Sequence, residues 1–326
     1  MRAICMVAAV ACCAGCGSEA AAPSVTSDGG TRTPSSIGGA AAACSTTPAR
    51  IADAFPVAAK DGAFFYGFGA QALERLPKAG GAAAALVSGL DPALVRSLAV
   101  DGGDAFWLDD GSPGRVFRAP SGGGDAFELA LSSRPQQLIL DAAHVYWIDA
   151  DGAAVSRVAR RDDLRPQSLL AGAVPGASGQ AIAVDAAFVY YAVSYADASG
   201  AAIHAVRKVP IAGGAGAEVA RLPADVAQLA ADDAAIFAAS GGTIARIDKL
   251  TDVQRSLAAP DPFVDALALD GDRLYFASHD AGGGGHLARA GKDGSALTVL
   301  ATERVTTPLV IDGDSVYFNA IERVCK

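Results

Sequence analysis

Two histidines and an aspartate near the C-terminal end of the chain are residues that could bind a metal ion or transfer a proton. His279 and His286 flank a segment that begins with Asp280 and continues Ala-Gly-Gly-Gly-Gly. Imidazoles and carboxylates are common zinc ligands, and a histidine beside an aspartate can act as a general base. A run of glycines holds such a site poorly in place, because ordering glycine costs much conformational entropy. We therefore expect a flexible loop here, with zinc binding and catalysis as the alternatives.

A second cluster of carboxylates could bind calcium. Asp149-Ala150-Asp151-Gly152 is similar to the start of a calcium-binding loop. It lacks the later ligands of such a loop, including the closing glutamate, so solvated turn residues are the simpler interpretation. We expect no cofactor, with calcium or zinc as the alternatives.

Signatures of common enzymes and of nucleic-acid binding are absent from the sequence. There is no Gly-x-Ser-x-Gly elbow, phosphate-binding loop, paired catalytic His and Cys, or dinucleotide fingerprint. The net charge of -9 would repel a phosphate backbone, which argues against nucleic acid as a partner. No catalytic residue is assigned from the sequence.

A repeat of about forty residues positions all of these side chains. Each unit has an aspartate after a short apolar run, followed four to six residues later by an apolar-aromatic cluster. The aspartates are Asp61, Asp101, Asp141, Asp185, Asp232, Asp270 and Asp312. This period is typical of the four-stranded blade of a β-propeller. The aspartates fall in turns, where a carboxylate accepts backbone hydrogen bonds, so we interpret them as structural.

The third unit shows the parts of a blade. Residues 137–140 predict strand a, 145–148 strand b, 155–158 strand c and 168–170 strand d. A basic residue recurs in strand c of nearly every unit. The aromatic residues of strand b, including Trp107 and Trp147, recur with the blade period and therefore predict core packing between blades.

The fold prediction is an all-β chain forming a single β-propeller of four-stranded blades, with seven blades expected and six as the alternative. The fifth unit is the weakest, with Ala238-Ala239 after Phe237. The seventh unit ends at Lys326 after strand c. Residues 50–54 stand where a strand d belongs, so an N-terminal strand is expected to close the last blade and remove the exposed edges.

Two of the repeats carry a more specific pattern. Phe106-Trp107-Leu108-Asp109 and Tyr146-Trp147-Ile148-Asp149 resemble the Tyr-Trp-Thr-Asp repeats of the low-density-lipoprotein-receptor type propellers. Residues 45–326 as a whole are similar to bacterial β-propeller repeat lipoproteins of uncertain function. The receptor family has six blades, whereas seven aspartates are counted here. Because propellers host unrelated functions, the resemblance implies architecture rather than activity.

The N-terminus has the features of an export signal. An apolar stretch, residues 3–14, follows Met1-Arg2 and is too short to span a bilayer. It leads into Cys13-Ala14-Gly15-Cys16, which resembles the lipobox of bacterial lipoproteins and implies lipidation of Cys16. We predict a lipoprotein signal peptide over 1–15, a flexible low-complexity tether over 16–43 and the propeller over 44–326. Plain secretion after cleavage near Ala14 or Ala20 is the alternative.

The cysteine count agrees with this organisation. Of six cysteines, four lie in the leader and at the lipidation position, which leaves Cys44 and Cys325 near the two ends of the propeller. A disulfide between them would join the termini in an oxidising compartment; two free thiols are the alternative. We expect an exported monomer, anchored in the cell envelope through its N-terminal lipid. Gly17, the residue after the lipid cysteine, resembles the pattern of lipoproteins that go to the outer membrane by default. The protein would then lie on either the periplasmic or the surface side of that membrane.

The predicted ligand-binding surface is the face where the b–c and d–a connections emerge, here called the loop face. Its candidate residues are Asp109, Asp110, Asp149, Asp151, Asp197, His279, Asp280 and His286. Such faces commonly bind ligands in propellers. The leading hypothesis is a non-catalytic binding or scaffolding module for an envelope protein, a glycan or a small ligand. An enzyme, such as a lyase or hydrolase acting at the channel mouth, and a purely structural envelope protein are the alternatives.

Overall fold

The computed structural model describes residues 49–50, 58–69, 71–79, 81–91, 93–101, 103–161, 168–306, 308–319 and 322–326. Every regular element there is a β-strand, so the described chain holds no helix that could cross a membrane. Cys16, Cys44 and the predicted leader and tether lie outside the described residues.

The strands group into seven antiparallel sheets of four, numbered here as blades in chain order. The first strand, β1 (Ala49–Arg50), belongs to the last blade. Blade 1 contains β2 (Ala59–Lys60), β3 (Phe64–Phe68), β4 (Ala72–Pro77) and β5 (Ala84–Ser88). Blade 2 contains β6 (Val95–Asp101), β7 (Asp104–Asp109), β8 (Gly114–Pro120) and β9 (Phe127–Ser132). Blade 3 contains β10 (Pro135–Leu140), β11 (His144–Asp149), β12 (Val155–Ala159) and β13 (Ser168–Ala171). Blade 4 contains β14 (Ser178–Val184), β15 (Phe188–Ala196), β16 (Ala202–Pro210) and β17 (Ala217–Leu222). Blade 5 contains β18 (Val226–Ala231), β19 (Ala235–Ser240), β20 (Thr243–Asp248) and β21 (Gln254–Ala258). Blade 6 contains β22 (Phe263–Asp270), β23 (Arg273–His279), β24 (Gly285–Gly291) and β25 (Thr298–Ala301). Blade 7 contains β26 (Val310–Asp312), β27 (Ser315–Phe318), β28 (Glu322–Cys325) and β1.

The seven-bladed propeller predicted from the repeat is confirmed, and the six-bladed alternative is wrong. The fifth unit, the weakest in sequence, forms a complete blade from β18 to β21. In each blade the four strands follow in the order a, b, c, d. First strands of consecutive blades contact one another, which places the a strands toward the axis.

The N-terminal strand closes the last blade, as expected. Ala49 pairs with Arg323 and Arg50 with Glu322, so β1 is the outer strand d beside β28. The strand lies one residue earlier than the predicted start, and residues 51–57 are outside the described part. Because β1 is antiparallel to β28, the chain enters it from the side of the a–b turns, here called the turn face.

The core is divided among the interfaces between blades. Seven clusters of buried apolar side chains each join two neighbouring blades. Trp107 and Trp147 are fully buried in two of them, which confirms their assignment to the core. The cluster between blades 7 and 1 is the smallest in the described residues, with Phe65, Leu76, Val310 and Tyr317. It includes a close ring contact, with the centroids of Phe65 and Tyr317 4.5 Å apart.

Four of the repeated aspartates brace the a–b turns of their own blades. In blade 3, Asp141 Oδ1 accepts the N–H groups of Ala143 and His144 at 2.7 Å, and Oδ2 accepts the Tyr146 hydroxyl at 2.6 Å. The two backbone contacts recur at Asp61, Asp185 and Asp232, the first two with the tyrosine as well. Partial burial raises the pKa of Asp141, but these hydrogen bonds outweigh it and hold the pKa below its ordinary value. These contacts confirm a structural role.

Ion pairs connect the repeated aspartates to the next blade around the turn face. Five aspartates contact a lysine or arginine that follows strand c of the following blade. The pairs are Asp101 with Arg160, Asp185 with Lys249, Asp232 with Lys292, Asp270 with Lys326 and Asp312 with Lys78. The last pair joins blade 7 to blade 1, so the closure of the ring includes the same type of ion pair that links other neighbouring blades.

The basic residue of strand c occupies one equivalent position in all seven blades. It stands opposite the aromatic residue of strand b that lies five residues after the repeated aspartate. The basic residues are Arg75, Arg118, Arg157, Lys208, Arg246, Arg289 and Arg323. In blades 1 to 3 the arginine donates to the backbone oxygen of the residue after strand c in the next blade: Ser121, Arg160 and Ile211.

Candidate functional site

Most predicted carboxylates of the loop face are held by neighbouring groups. Asp149 is buried and accepts the Ser132 hydroxyl, while Asp151 pairs with Arg134 at 3.3 Å. The two aspartates therefore have separate partners, which differs from the shared ligand set of a calcium loop.

Two further predicted positions lie in blade 2. Asp109 accepts the N–H of Gly111 at 2.8 Å, within its own b–c loop. Asp110 pairs with Arg96 at 3.0 Å. The exposed charge of this part of the face is therefore partly compensated.

The loops after the b strands of blades 4 and 6 are each organised by an aspartate. Asp197 Oδ1 accepts hydrogen bonds from the N–H and hydroxyl of Ser199 and from the N–H of Ala201. These bonds lower the pKa of Asp197. Asp280 accepts from the N–H groups of Gly282 and Gly284 at 2.7 and 3.0 Å. Both carboxylates stabilise their own loops.

The two predicted histidines each have a carboxylate partner, and neither partner is Asp280. His279 Nδ1 lies 2.6 Å from Asp265 Oδ2, and His286 Nδ1 lies 2.9 Å from Asp261 Oδ2. Asp261 is buried and also accepts the Ser278 hydroxyl at 2.7 Å. The sequence did not suggest these aspartates, because Asp261 lies in the d–a connection from blade 5, and Asp265 lies on β22, 14 residues before His279.

A third pair on the loop face was missed by sequence reasoning. His204, at the start of strand c in blade 4, has Nδ1 2.8 Å from Asp225 Oδ1 and 3.2 Å from Ser194 Oγ. Asp225 lies 21 residues further along, in the connection to blade 5. A histidine opening strand c together with an aspartate after the following strand d is the signal that could have found it.

An open cleft of about 720 Å³ brings two of these pairs together across blades 3 to 6. We call it the loop-face cleft. The side chains that matter below are Arg134, Gln136, Gln180, His204, Asp225, Phe263, Asp265 and His279. Of the eight predicted ligand-face residues, His279 alone is among the residues that line this cleft. A smaller cavity of about 390 Å³ shares Ala227 and Asp265 with it and extends toward Arg304.

Phe263 supplies an exposed aromatic surface in this polar cleft. Its side chain is 45% exposed, and its ring stacks on His279 with centroids 5.0 Å apart and planes 26° apart. Asp265 and Phe263 thus hold the His279 ring from two sides. Aromatic side chains are enriched at recognition surfaces, so Phe263 is a candidate contact residue.

The imidazoles of the cleft have the chemistry of hydrogen-bonding or proton-transfer groups. A carboxylate beside Nδ1 favours the tautomer with its proton on Nδ1, which leaves Nε2 as the basic nitrogen. Within the described chain, no group of three or more His, Cys, Asp or Glu residues is arranged to hold a metal ion.

Comparison with known proteins identifies the fold alone. No protein-family model and no curated protein match the sequence. The structure is similar to one titled YCF48 bound to D1 peptide, with TM-score 0.60 and 14% identity, covering 85% of this chain and 94% of that chain. It is similar to the computationally designed Ika8 protein, with TM-score 0.57 and 12% identity over 86% and 99%. It is also similar to a chain of a nidogen/laminin complex, with TM-score 0.53 and 16% identity over 74% and 93%.

Proposed function

We propose that this chain is a lipid-anchored binding module of the cell envelope that holds a segment of a partner protein in the loop-face cleft. The observation that carries the proposal is the cleft itself, with two carboxylate-held imidazoles and one exposed aromatic ring. Proteins of this fold include propellers solved with a peptide and in a protein complex, which supports the choice of partner.

The shape and lining of the cleft favour a protein segment over a small ligand. Pockets for small molecules are mostly enclosed and apolar. This cleft is open, spans four blades, and has Arg134 and His204 as hydrogen-bonding groups in its lining. Such groups suit the peptide units of an extended segment, and Phe263 can anchor an apolar side chain of that segment.

The path of the chain supports the proposed anchoring. It enters β1 from the turn face, on the opposite side of the propeller from the loop-face cleft. The first described residue, Ala49, therefore lies at the turn face, away from the loop-face cleft, and this supports the proposal of an N-terminal tether. Residues 16–43 carry that tether in the proposal.

Intact mass of the protein purified from its native membrane tests the anchoring. We expect a diacylglyceryl increment on a chain starting at Cys16, and a gain of about 2 Da on reduction from a Cys44–Cys325 disulfide. A product without lipid contradicts the anchor, and two free thiols contradict the disulfide.

Two phenylalanines of equal exposure provide a matched test of the cleft. Phe263 in the cleft is 45% exposed, and Phe127 on the outer strand of blade 2 is 44% exposed. We expect Phe263→Ala to lower recovery of a cross-linked envelope partner at least tenfold, and Phe127→Ala to leave recovery unchanged, because removing a central aromatic anchor costs more than about 1.4 kcal/mol of binding. Equal loss from both variants, or from neither, would contradict binding in the cleft.

The His279–Asp265 pair favours an enzyme as the second candidate function. An imidazole whose Nδ1 is held by a carboxylate can act as a general base in a hydrolase or lyase. Replacing His279 with Gln keeps a polar side chain and removes the base. Loss of turnover with partner binding intact would identify the enzyme, and loss of binding alone would identify the module.

A further inference from the structure

A second cleft lies on the opposite side of the propeller, between blades 5 and 6 on the turn face. Its volume is about 860 Å³. Its charged residues are Arg246, Arg255, Arg273 and Lys292, with Asp248, Asp272 and Asp293. We call it the basic cleft. Among the described residues, none lines both the basic cleft and the loop-face cleft.

The basic cleft contains two arginines that face each other across neighbouring strands. Arg246 on β20 is the direct partner of Arg255 on β21. Cross-strand partners project from the same side of a sheet with Cβ atoms about 5 Å apart, where like charges destabilise the pair. Ile244 and Leu257, two residues away on the same strands, pack against blade 6. The two arginines therefore lie on the blade 5 surface that faces blade 6.

This pairing departs from the repeat. The partner of the strand c basic residue on strand d is uncharged in the other six blades. Those partners are Ala84, Phe127, Ser168, Ala217, Thr298 and Ala49. Blade 5 alone places a second arginine there, so the repulsion is a feature of this blade and is not required by the fold.

The equivalent arginine also makes a different contact in blade 5. In blades 1 to 3 it donates to the backbone of the next blade, whereas Arg246 contacts Asp248 in its own blade at 3.6 Å. Within the described chain, Arg255 forms no ion pair. Gly294 of blade 6 lies close to Leu257 of blade 5, because a Cβ at Gly294 would lie 3.0 Å from Leu257 Cδ2.

The carboxylates of the basic cleft are mostly occupied. Asp248 accepts the N–H and hydroxyl of Thr251, and Asp293 accepts the N–H and hydroxyl of Ser295. Asp272 is 87% exposed and lies 3.4 Å from Arg273, where water screens the interaction. The guanidinium groups of the cross-strand partners Arg246 and Arg255 therefore keep N–H donors for an external anion.

We propose that the basic cleft is a binding site for a phosphate-bearing ligand, held between Arg246 and Arg255 of blade 5 and Arg273 of blade 6. Guanidinium groups bind phosphate oxygens through paired hydrogen bonds, and a dianion between two opposed arginines removes their repulsion. Lys292 contributes positive charge from the cleft wall while it pairs with Asp232 at 2.6 Å.

Thermal unfolding with sodium pyrophosphate, at ionic strength matched with sodium chloride, tests the site. We expect pyrophosphate at a hundredfold excess over its Kd to raise the Tm of the full chain by about 5 °C. Arg255→Thr, which restores the residue type of blade 6, is expected to raise the Tm without anion and to abolish the response. Arg255→Glu should do the same, because it forms an ion pair with Arg246.

Arg221→Thr is the control, since Arg221 is an exposed strand d arginine that pairs with Glu218 outside the cleft. This variant should keep the full pyrophosphate response. A Tm response to pyrophosphate that survives in both Arg255 variants would overturn the site. A wild type that shows neither this Tm response nor flotation with vesicles would also overturn it.

The source of the phosphate is tested with vesicles and the unlipidated full chain, Cys16→Ser. Flotation with phosphatidylcholine vesicles containing phosphatidylglycerol, lost in Arg255→Glu, would identify a lipid headgroup. A pyrophosphate response without flotation would identify a soluble phosphate compound. Both outcomes support the site and separate its two sources.

Discussion

Each of the four histidines has its Nδ1 near an aspartate carboxylate, and this contact helps to orient the imidazole ring. The pairs are His144 with Asp141, His204 with Asp225, His279 with Asp265 and His286 with Asp261. The first lies on the turn face and the other three on the loop face. Isolated histidines in the sequence are therefore oriented groups in the folded protein, and two of them meet in one cleft.

The candidate residues on the loop face show what residue types alone can predict. The sequence correctly placed His279 on this face, but proximity along the chain suggested Asp280 as its partner. The loop backbone takes the Asp280 carboxylate, because the glycine N–H groups of a tight turn are nearer to it. Asp265 comes from the next strand in space, and that proximity depends on the register of β22 and β23.

Replacing Asp141 tests the turn-bracing role at the residue scale. Asp141→Ala removes the acceptor for two N–H groups and the Tyr146 hydroxyl, and we expect a loss of about 2 kcal/mol of unfolding free energy at pH 7. The measurement is urea unfolding followed by fluorescence.

The same variant should change the acid sensitivity of folding. The folded-state pKa of Asp141 is lowered, so its contribution is present above its unfolded pKa of 3.8 and is lost as the pH falls below that value. The variant should therefore differ from wild type at pH 7 and converge with it in the acid range. A difference that stays constant down to pH 2 would contradict this role.

At the scale of elements, blades are joined by side chains that reach from one to the next. The sequence predicted strands b and c accurately, because apolar alternation and the aromatic cluster mark them directly. The sequence predicted the ends of strands less well where tertiary pairing sets the strand length. The β15–β16 hairpin of blade 4 has nine residues in each strand, and the closing strand begins at Ala49, one residue before the predicted start.

Removing one inter-blade cation tests the contribution of these contacts. Lys249 and Asp185 form a pair whose side chains are only 13% and 16% exposed. Lys249→Ile, which introduces the residue that blade 4 has at Ile211, should cost about 2–3 kcal/mol of unfolding free energy because Asp185 loses its counter-ion. The exposed Arg221→Ile should change stability by less than about 1 kcal/mol. Equal effects in urea unfolding would contradict the account.

At the scale of the whole described propeller, the seven blades form a closed ring with a cleft on each face. Its smallest described core cluster joins blade 7 to blade 1, where Asp312 also forms ion pairs with Lys60 and Lys78. The loop-face cleft and the basic cleft lie on opposite sides, so the proposed protein partner and the proposed phosphate-bearing ligand would not compete for the same surface.

Site-specific photo-crosslinking in living cells tests binding in the loop-face cleft most directly. A photoreactive phenylalanine analogue replaces exposed Gln136 in the cleft, or exposed Leu169 on the outer strand of blade 3 as the control. Position 136 should give a discrete adduct with an envelope protein, and the Phe263→Ala substitution should remove that adduct. An adduct at position 169 with none at position 136, or an adduct at 136 unaffected by loss of Phe263, would contradict a binding module that acts through this cleft.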